Sequence, residues 1–124
     1  MRRLLIIDND ADTRDLMVRL LSSSYELSVA DGYDTALARA DEARPDVVVS
    51  DIGLGGRDGL ELMAELKRRY DVPGVAVSGH LLEPRELRDA GFVGFLRKPI
   101  HWDDLVRTLD KAASVRPMSA ATGL

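Results

Sequence analysis

The sequence contains no cysteine, which excludes disulfide frameworks and thiolate metal sites. Histidine is almost as scarce: His80 and His101 have no cysteine or second acid at metal spacing and read as an exposed loop residue and a helix-cap residue. No apolar run approaches the ~20 residues that cross a bilayer. The short run Leu4 to Ile7, behind Arg2 and Arg3, is too brief for a signal-peptide core and meets acids at once. The expectation is a cytoplasmic protein with no membrane contact. Positive charge is not in excess either: 17 Lys and Arg against 21 Asp and Glu give a formal net charge of -4, which argues against direct nucleic-acid binding. The one basic run, Lys67-Arg68-Arg69, suits a helix C-terminus.

What is present describes one globular domain: 124 residues, 45% hydrophobic and 31% charged, enough for a single core and too little for two. The periodic part spans residues 1–113. Residues 114–124 have no period and read as a flexible tail or truncated linker.

Val47-Val48-Val49 reads as a strand buried on both faces, as in a parallel sheet. It ends at Ser50-Asp51 and a glycine-rich turn, and a carboxylate at that position sits at the carboxyl edge of the sheet, where open α/β folds place their chemistry. Asp51 is therefore the candidate reactive group. Other apolar runs also stop at polar residues: Leu4 to Ile7 at Asp8-Asn9-Asp10, Val75 to Val77 at Ser78, and Phe92 to Leu96 at Arg97-Lys98-Pro99. Acids, a hydroxyl and an amine would converge on one edge.

Between these runs lie helical patterns. Leu16, Met17, Leu20 and Leu21 give one apolar stripe, with Arg14, Asp15 and Arg19 on the other side and Asp10 or Asp12 as cap. Glu26 to Ala30 reads as an edge strand, and Tyr33 to Ala43 as a helix stopped by Arg44-Pro45. A third helix runs from about Asp58 to Arg69. A short, weakly apolar fourth opens at Glu83-Pro84 and closes at Gly91. The fifth begins near His101 or Trp102, with Trp102, Leu105, Val106 and Leu109 as its stripe. Five strands alternating with five helices predict a five-stranded parallel sheet with helices on both faces and right-handed crossovers.

These spaced motifs together resemble the receiver domain of two-component response regulators, of the single-domain chemotaxis type, over roughly residues 3–113. The resemblance implies a flavodoxin-like doubly wound (βα)5 fold. It implies Asp51 as phosphoacceptor, Asp8, Asn9, Asp51 and the Gly53 carbonyl as ligands of Mg²⁺, and Ser78 and Lys98 as phosphoryl-binding groups. Ser78 and Phe95 would form the switch, Asp58-Gly59 matches the family's Asp-Gly, and Pro99 is the candidate for a cis peptide bond in its loop. The partners implied are a histidine kinase or histidine phosphotransfer protein, a downstream protein target, and a second copy joined through the fourth helix, fifth strand and fifth helix. The domain would catalyse only its own phosphotransfer and dephosphorylation.

Two residues depart from the family pattern. Asn9 stands where the second acid is usual, weakening the Mg²⁺ site because an amide oxygen brings no charge, and Gly55 replaces a common proline. Asn9 leaves open a receiver-fold binding module that is never phosphorylated. Asp8-Asn9-Asp10, Ser78 and Lys98 also follow the order of haloacid-dehalogenase-like phosphatases, although Asp51 then has no role. Gly53 to Asp58 lacks the last glycine of a dinucleotide fingerprint.

Overall fold

The central strand is buried because its neighbours on both sides are strands of the same kind. In the computed structural model, which describes residues 1–53, 58–79 and 83–114, β1 (Arg3–Ile7), β2 (Glu26–Ala30), β3 (Val47–Asp51), β4 (Gly74–Ser78) and β5 (Phe92–Arg97) form one parallel sheet in the order β2-β1-β3-β4-β5. The edge assignment of β2 holds, and β3 lies mid-sheet with Val47, Val48 and Val49 at most 1% exposed. Each crossover is a helix: α1 (Ala11–Leu21), α2 (Tyr33–Glu42), α3 (Gly59–Tyr70), α4 (Pro84–Ala90) and, after β5, α5 (Trp102–Ser114).

Alternation along the strands divides the core in two. Leu5, Ile7, Val48 and Ala76 face α2, α3 and α4, packing on Ala36, Leu62, Met63, Leu66 and Leu87. Leu4, Ile6, Val49 and Val77 face α1 and α5, packing on Met17, Leu21, Leu105 and Leu109. α4 buries only Leu87 and Ala90, and Gly91 ends it at φ 112, a left-handed conformation that glycine adopts without a Cβ penalty.

Several details differ from the sequence reading. Met17 and Leu21 are buried, but Leu16 and Leu20, read as part of the same inward stripe, are 44% and 40% exposed. Val106 of α5 is likewise 37% exposed. Each helix covers the sheet with one narrow strip, and a residue rotated one position around the helix falls outside it. Arg14 was placed on the solvent face and is half-buried. Asp10 holds the N-cap position of α1, yet its carboxylate accepts the Thr13 hydroxyl (2.5 Å) rather than a backbone N–H. α5 continues through Ser114, while the rest of the tail expectation, residues 115–124, lies outside the described residues, as does His80.

Tyr25, 3% exposed, ties the start of β2 to the last helix: its hydroxyl donates to Asp110 Oδ1 at 2.6 Å, across 85 residues of sequence. Burial, then the Asp110 carboxylate, raises the phenol's pKa above its ordinary range. A raised folded-state value means the contribution is complete below the unfolded value near 10 and is lost as pH rises beyond it. Tyr25→Phe should lower stability by about 1 kcal/mol at neutral pH, a fall of roughly 4 °C in Tm. Melting curves should show the gap between parent and variant closing above about pH 10; a constant gap would contradict the assignment.

Candidate functional site

The strand order decides which side chains meet. Because β1 and β3 are adjacent with Ile7 opposite Ser50, the next residues of each, Asp8 and Asp51, come side by side at the carboxyl edge, at the point where the chain order reverses. Ser78 closes β4 one residue beyond Val77, the partner of Asp51. Lys98 follows β5, its backbone N–H donating to the Ser78 carbonyl at 2.8 Å, and the Lys98-Pro99 peptide bond is cis. Asp8, Asp51, Ser78 and Lys98 are thus brought to one edge, with Asn9 exposed beside Asp8.

Lys98 Nζ lies 3.3 Å from Asp51 Oδ2, an ion pair whose lysine side chain is 38% exposed and whose aspartate side chain is 15% exposed. Asp8 is deeper, at 1% exposed. Its Oδ1 accepts the Asp10 backbone N–H (2.8 Å), while Oδ2 has no hydrogen-bond partner among the described residues. Burial, and then the neighbouring Asp51 charge, raise the Asp8 carboxyl's pKa; the Asp10 N–H opposes them.

Gly59, the first residue of α3, packs tightly against the end of β3. A Cβ there would sit 3.2 Å from the Asp51 carbonyl oxygen and 3.3 Å from Ile52 Cα, both backbone atoms, so any larger residue would have to push the start of α3 a few tenths of an ångström from the end of β3. Asp58 caps that start, its Oδ1 accepting from Leu60 N at 2.9 Å. A Cβ on Gly53 would lie 3.9 Å from Asp51 Oδ1, which puts the Gly53 backbone alongside the carboxylate. Residues 54–57, including Gly55 and most of the glycine-rich turn, lie outside the described residues.

The residues present suit a hard cation such as Mg²⁺: two carboxylates, one with a buried oxygen that meets no donor among the described residues, and the Gly53 backbone alongside the other. Among the described residues no group of three His, Cys, Asp or Glu side chains forms a metal cluster, in keeping with asparagine at position 9.

Phe95 is half-buried against the core on the α4 side. It pairs with Ala76, so it shares a sheet face with Ser78, two residues further along β4. Sequence reasoning missed Arg14, whose Nη1 donates to the Asp8 carbonyl oxygen at 2.6 Å. The only hint was its place one turn into α1.

The family described as the response regulator receiver domain matches residues 4–110, and the chain belongs to it. Among curated relatives, the chain is 31% identical over 117 residues to the transcriptional regulatory protein KdpE of Staphylococcus aureus, covering 90% of this chain and 51% of that protein. It is 32% identical over 127 residues to the regulatory protein VirG of Agrobacterium fabrum, covering 98% and 50%. The chain therefore spans about half the length of these relatives. The receiver domain of NtrX from Brucella abortus superposes with a TM-score of 0.80 at 33% identity, over 90% of this chain and 98% of that one. Receivers are signalling domains, and the phosphatase alternative falls with this match: it needs Asp8 as an accessible nucleophile, whereas Asp8 is buried and Asp51 occupies the mouth of the site.

The buried Asp8 carboxylate generates a stability prediction. Its raised pKa means that the folded state holds the proton more tightly than the unfolded state, so ionisation costs stability as pH rises above the ordinary value of 3.8. Asp8→Asn keeps an acceptor for the Asp10 N–H and removes the charge. In chelator at pH 7 its Tm should exceed the parent's by roughly 2–6 °C, with the advantage vanishing near pH 4. A lower Tm at pH 7 would refute this account.

Proposed function

We propose that Asp51 accepts a phosphoryl group from a phosphohistidine on a histidine kinase or histidine phosphotransfer protein, and that the signal leaves through α4, β5 and α5. The observation that carries this reading is the Lys98 ammonium 3.3 Å from Asp51 Oδ2 at the open carboxyl edge. An Asp51 oxygen attacks phosphorus as the phosphorus–nitrogen bond breaks, and the imidazole nitrogen keeps the bonding electron pair. Lys98 neutralises the entering charge, and the Ser78 hydroxyl donates to a phosphoryl oxygen. Asp8, Asp51, the Gly53 carbonyl and Asn9 would hold Mg²⁺, which offsets the charge of the phosphoryl oxygens when bound. The domain acts in the cytoplasm and catalyses no reaction beyond its own phosphorylation and dephosphorylation.

Ser78 and Phe95 share a sheet face, so a Ser78 drawn toward the phosphoryl group leaves room for the Phe95 ring to turn inward. Phe95 also lines a groove of about 420 Å³ with Pro84, Leu87, Arg88, Phe92 and Val93, which the downstream target would read. A second reading, a receiver-fold binding module that is never phosphorylated, is favoured by one observation: Asn9 leaves the site with two carboxylates.

Intact mass after incubation with acetyl phosphate and Mg²⁺ separates the readings. The parent should gain one phosphoryl mass and Asp51→Asn none. Asn9→Asp should bind Mg²⁺ more tightly and phosphorylate faster, and its metal-free form should melt below the parent. A parent that takes no phosphoryl group at saturating donor supports the binding module; an adduct on Asp51→Asn disproves the assignment of the acceptor.

A further inference from the structure

We infer that Arg14 is a positioning residue: it holds the peptide between Asp8 and Asn9 in place, and the uncharged Asn9 oxygen depends on that placement to serve a cation. The inference rests on the reading of Asp8, Asn9, Asp51 and Gly53 as a Mg²⁺ site. The ladders of β1 run to Ile7, and one residue later the Asp8 N–H still donates to the Ala30 carbonyl at 3.1 Å. The Asp8 carbonyl is held instead by a side chain, accepting from Arg14 Nη1 at 2.6 Å. That oxygen belongs to the peptide from which Asn9 continues. The Arg14 backbone N–H donates to the Asp10 carbonyl at 3.1 Å, so one residue grips the turn on both sides of Asn9. The bond from the Asp10 N–H to Asp8 Oδ1, 2.8 Å, fixes the Asp8 side chain to the same turn.

Arg14 lines a cavity of about 200 Å³ with Val29, Ala30, Asp31, Thr35 and Arg39 on the β2 side of the site, whereas Lys98 follows β5, the opposite edge of the sheet. The two cations are used differently. Lys98 Nζ pairs with the Asp51 carboxylate itself, while Arg14 directs a charged donor, the stronger kind, at a backbone oxygen. Arg39, its neighbour in the cavity, turns to Glu42 on its own helix at 3.1 Å. A carboxylate attracts a cation from any angle and over a long range. An amide oxygen does so only when its dipole points at the ion, and the attraction falls off faster with distance, so Asn9 depends on backbone placement more than an acid would. Charge alone makes the opposite forecast: a guanidinium near the site repels Mg²⁺, and removing it would tighten binding.

Mg²⁺ titration of the full chain without a phosphodonor, followed by the amide resonances around Asp8 and Asn9, separates the two. Arg14→Met should weaken Mg²⁺ binding by about tenfold. Arg39→Met, which removes the same charge from the same cavity, should not weaken it. In the Asn9→Asp background the loss from Arg14→Met should shrink to about threefold or less, a coupling between neighbouring positions. Circular dichroism checks that each variant is folded; if Arg14→Met is not, Arg14→Lys, which keeps the charge without the planar fork, is read in its place. An Arg14 variant that binds Mg²⁺ as tightly as the parent, or more tightly, overturns the inference. So does an equal loss in both backgrounds, or an equal loss from Arg39→Met. These outcomes, with Mg²⁺ bound by the parent, defeat the inference alone; a parent that binds no Mg²⁺ defeats the metal-site reading and the inference with it.

Discussion

Two carboxylates held side by side, with one lysine to answer them, are the constraint around which this domain is arranged. Asp8 is buried with an oxygen that no donor among the described residues reaches, Asp51 is the more exposed of the two, and Lys98 is paired with Asp51. A fold selected only for stability would not keep an ionisable group like Asp8, because desolvation and its neighbour both oppose its charge. On the proposed phosphoacceptor reading, such a site would take up positive charge and then an anion. Asn9 brings no charge to this edge.

The sheet supplies the rigidity that keeps such an arrangement in place. β1, β3 and β4 are buried on both faces and bonded on both edges, so the ends bearing Asp8, Asp51 and Ser78 have little freedom. Backbone hydrogen bonds continue past the strands, from Ile52 N to the Val77 carbonyl (2.9 Å) and from Lys98 N to the Ser78 carbonyl (2.8 Å), linking the functional ends to each other. The elements that could respond lie toward β5. α4 is the shortest helix, with two buried side chains, and β5 is an edge strand whose middle residues are only partly covered. Rigidity at the acids and looseness at α4 and β5 are the division that the proposed two-state signal would use.

Much of this was legible before any coordinates. The run of valines, the polar stops of four apolar runs and the spacing of the helical stripes lead to the parallel sheet and to Asp8, Asp51, Ser78 and Lys98. That reading works because strand burial and helix amphipathicity are written residue by residue. It failed where the answer depended on how wide a strip each helix buries: Leu16, Leu20 and Val106 are apolar and correctly spaced, yet exposed. It also failed for Arg14, whose guanidinium reaches back across a turn to the Asp8 carbonyl.

The sequence by itself determined the alternation of strands and helices, the polar residues at the strand ends, and asparagine at position 9, since these follow from local pattern and side-chain identity. Tertiary structure alone decided that β1 and β3 are neighbours, so that Asp8 and Asp51 share one site, because strand order arises from long-range pairing that no local pattern encodes. It decided, too, that Gly59 is pressed against the end of β3, that Tyr25 finds Asp110, and that one leucine of a stripe is buried while the next is bare. Each of these turns on what packs opposite, and that is fixed only when the whole chain has closed on itself.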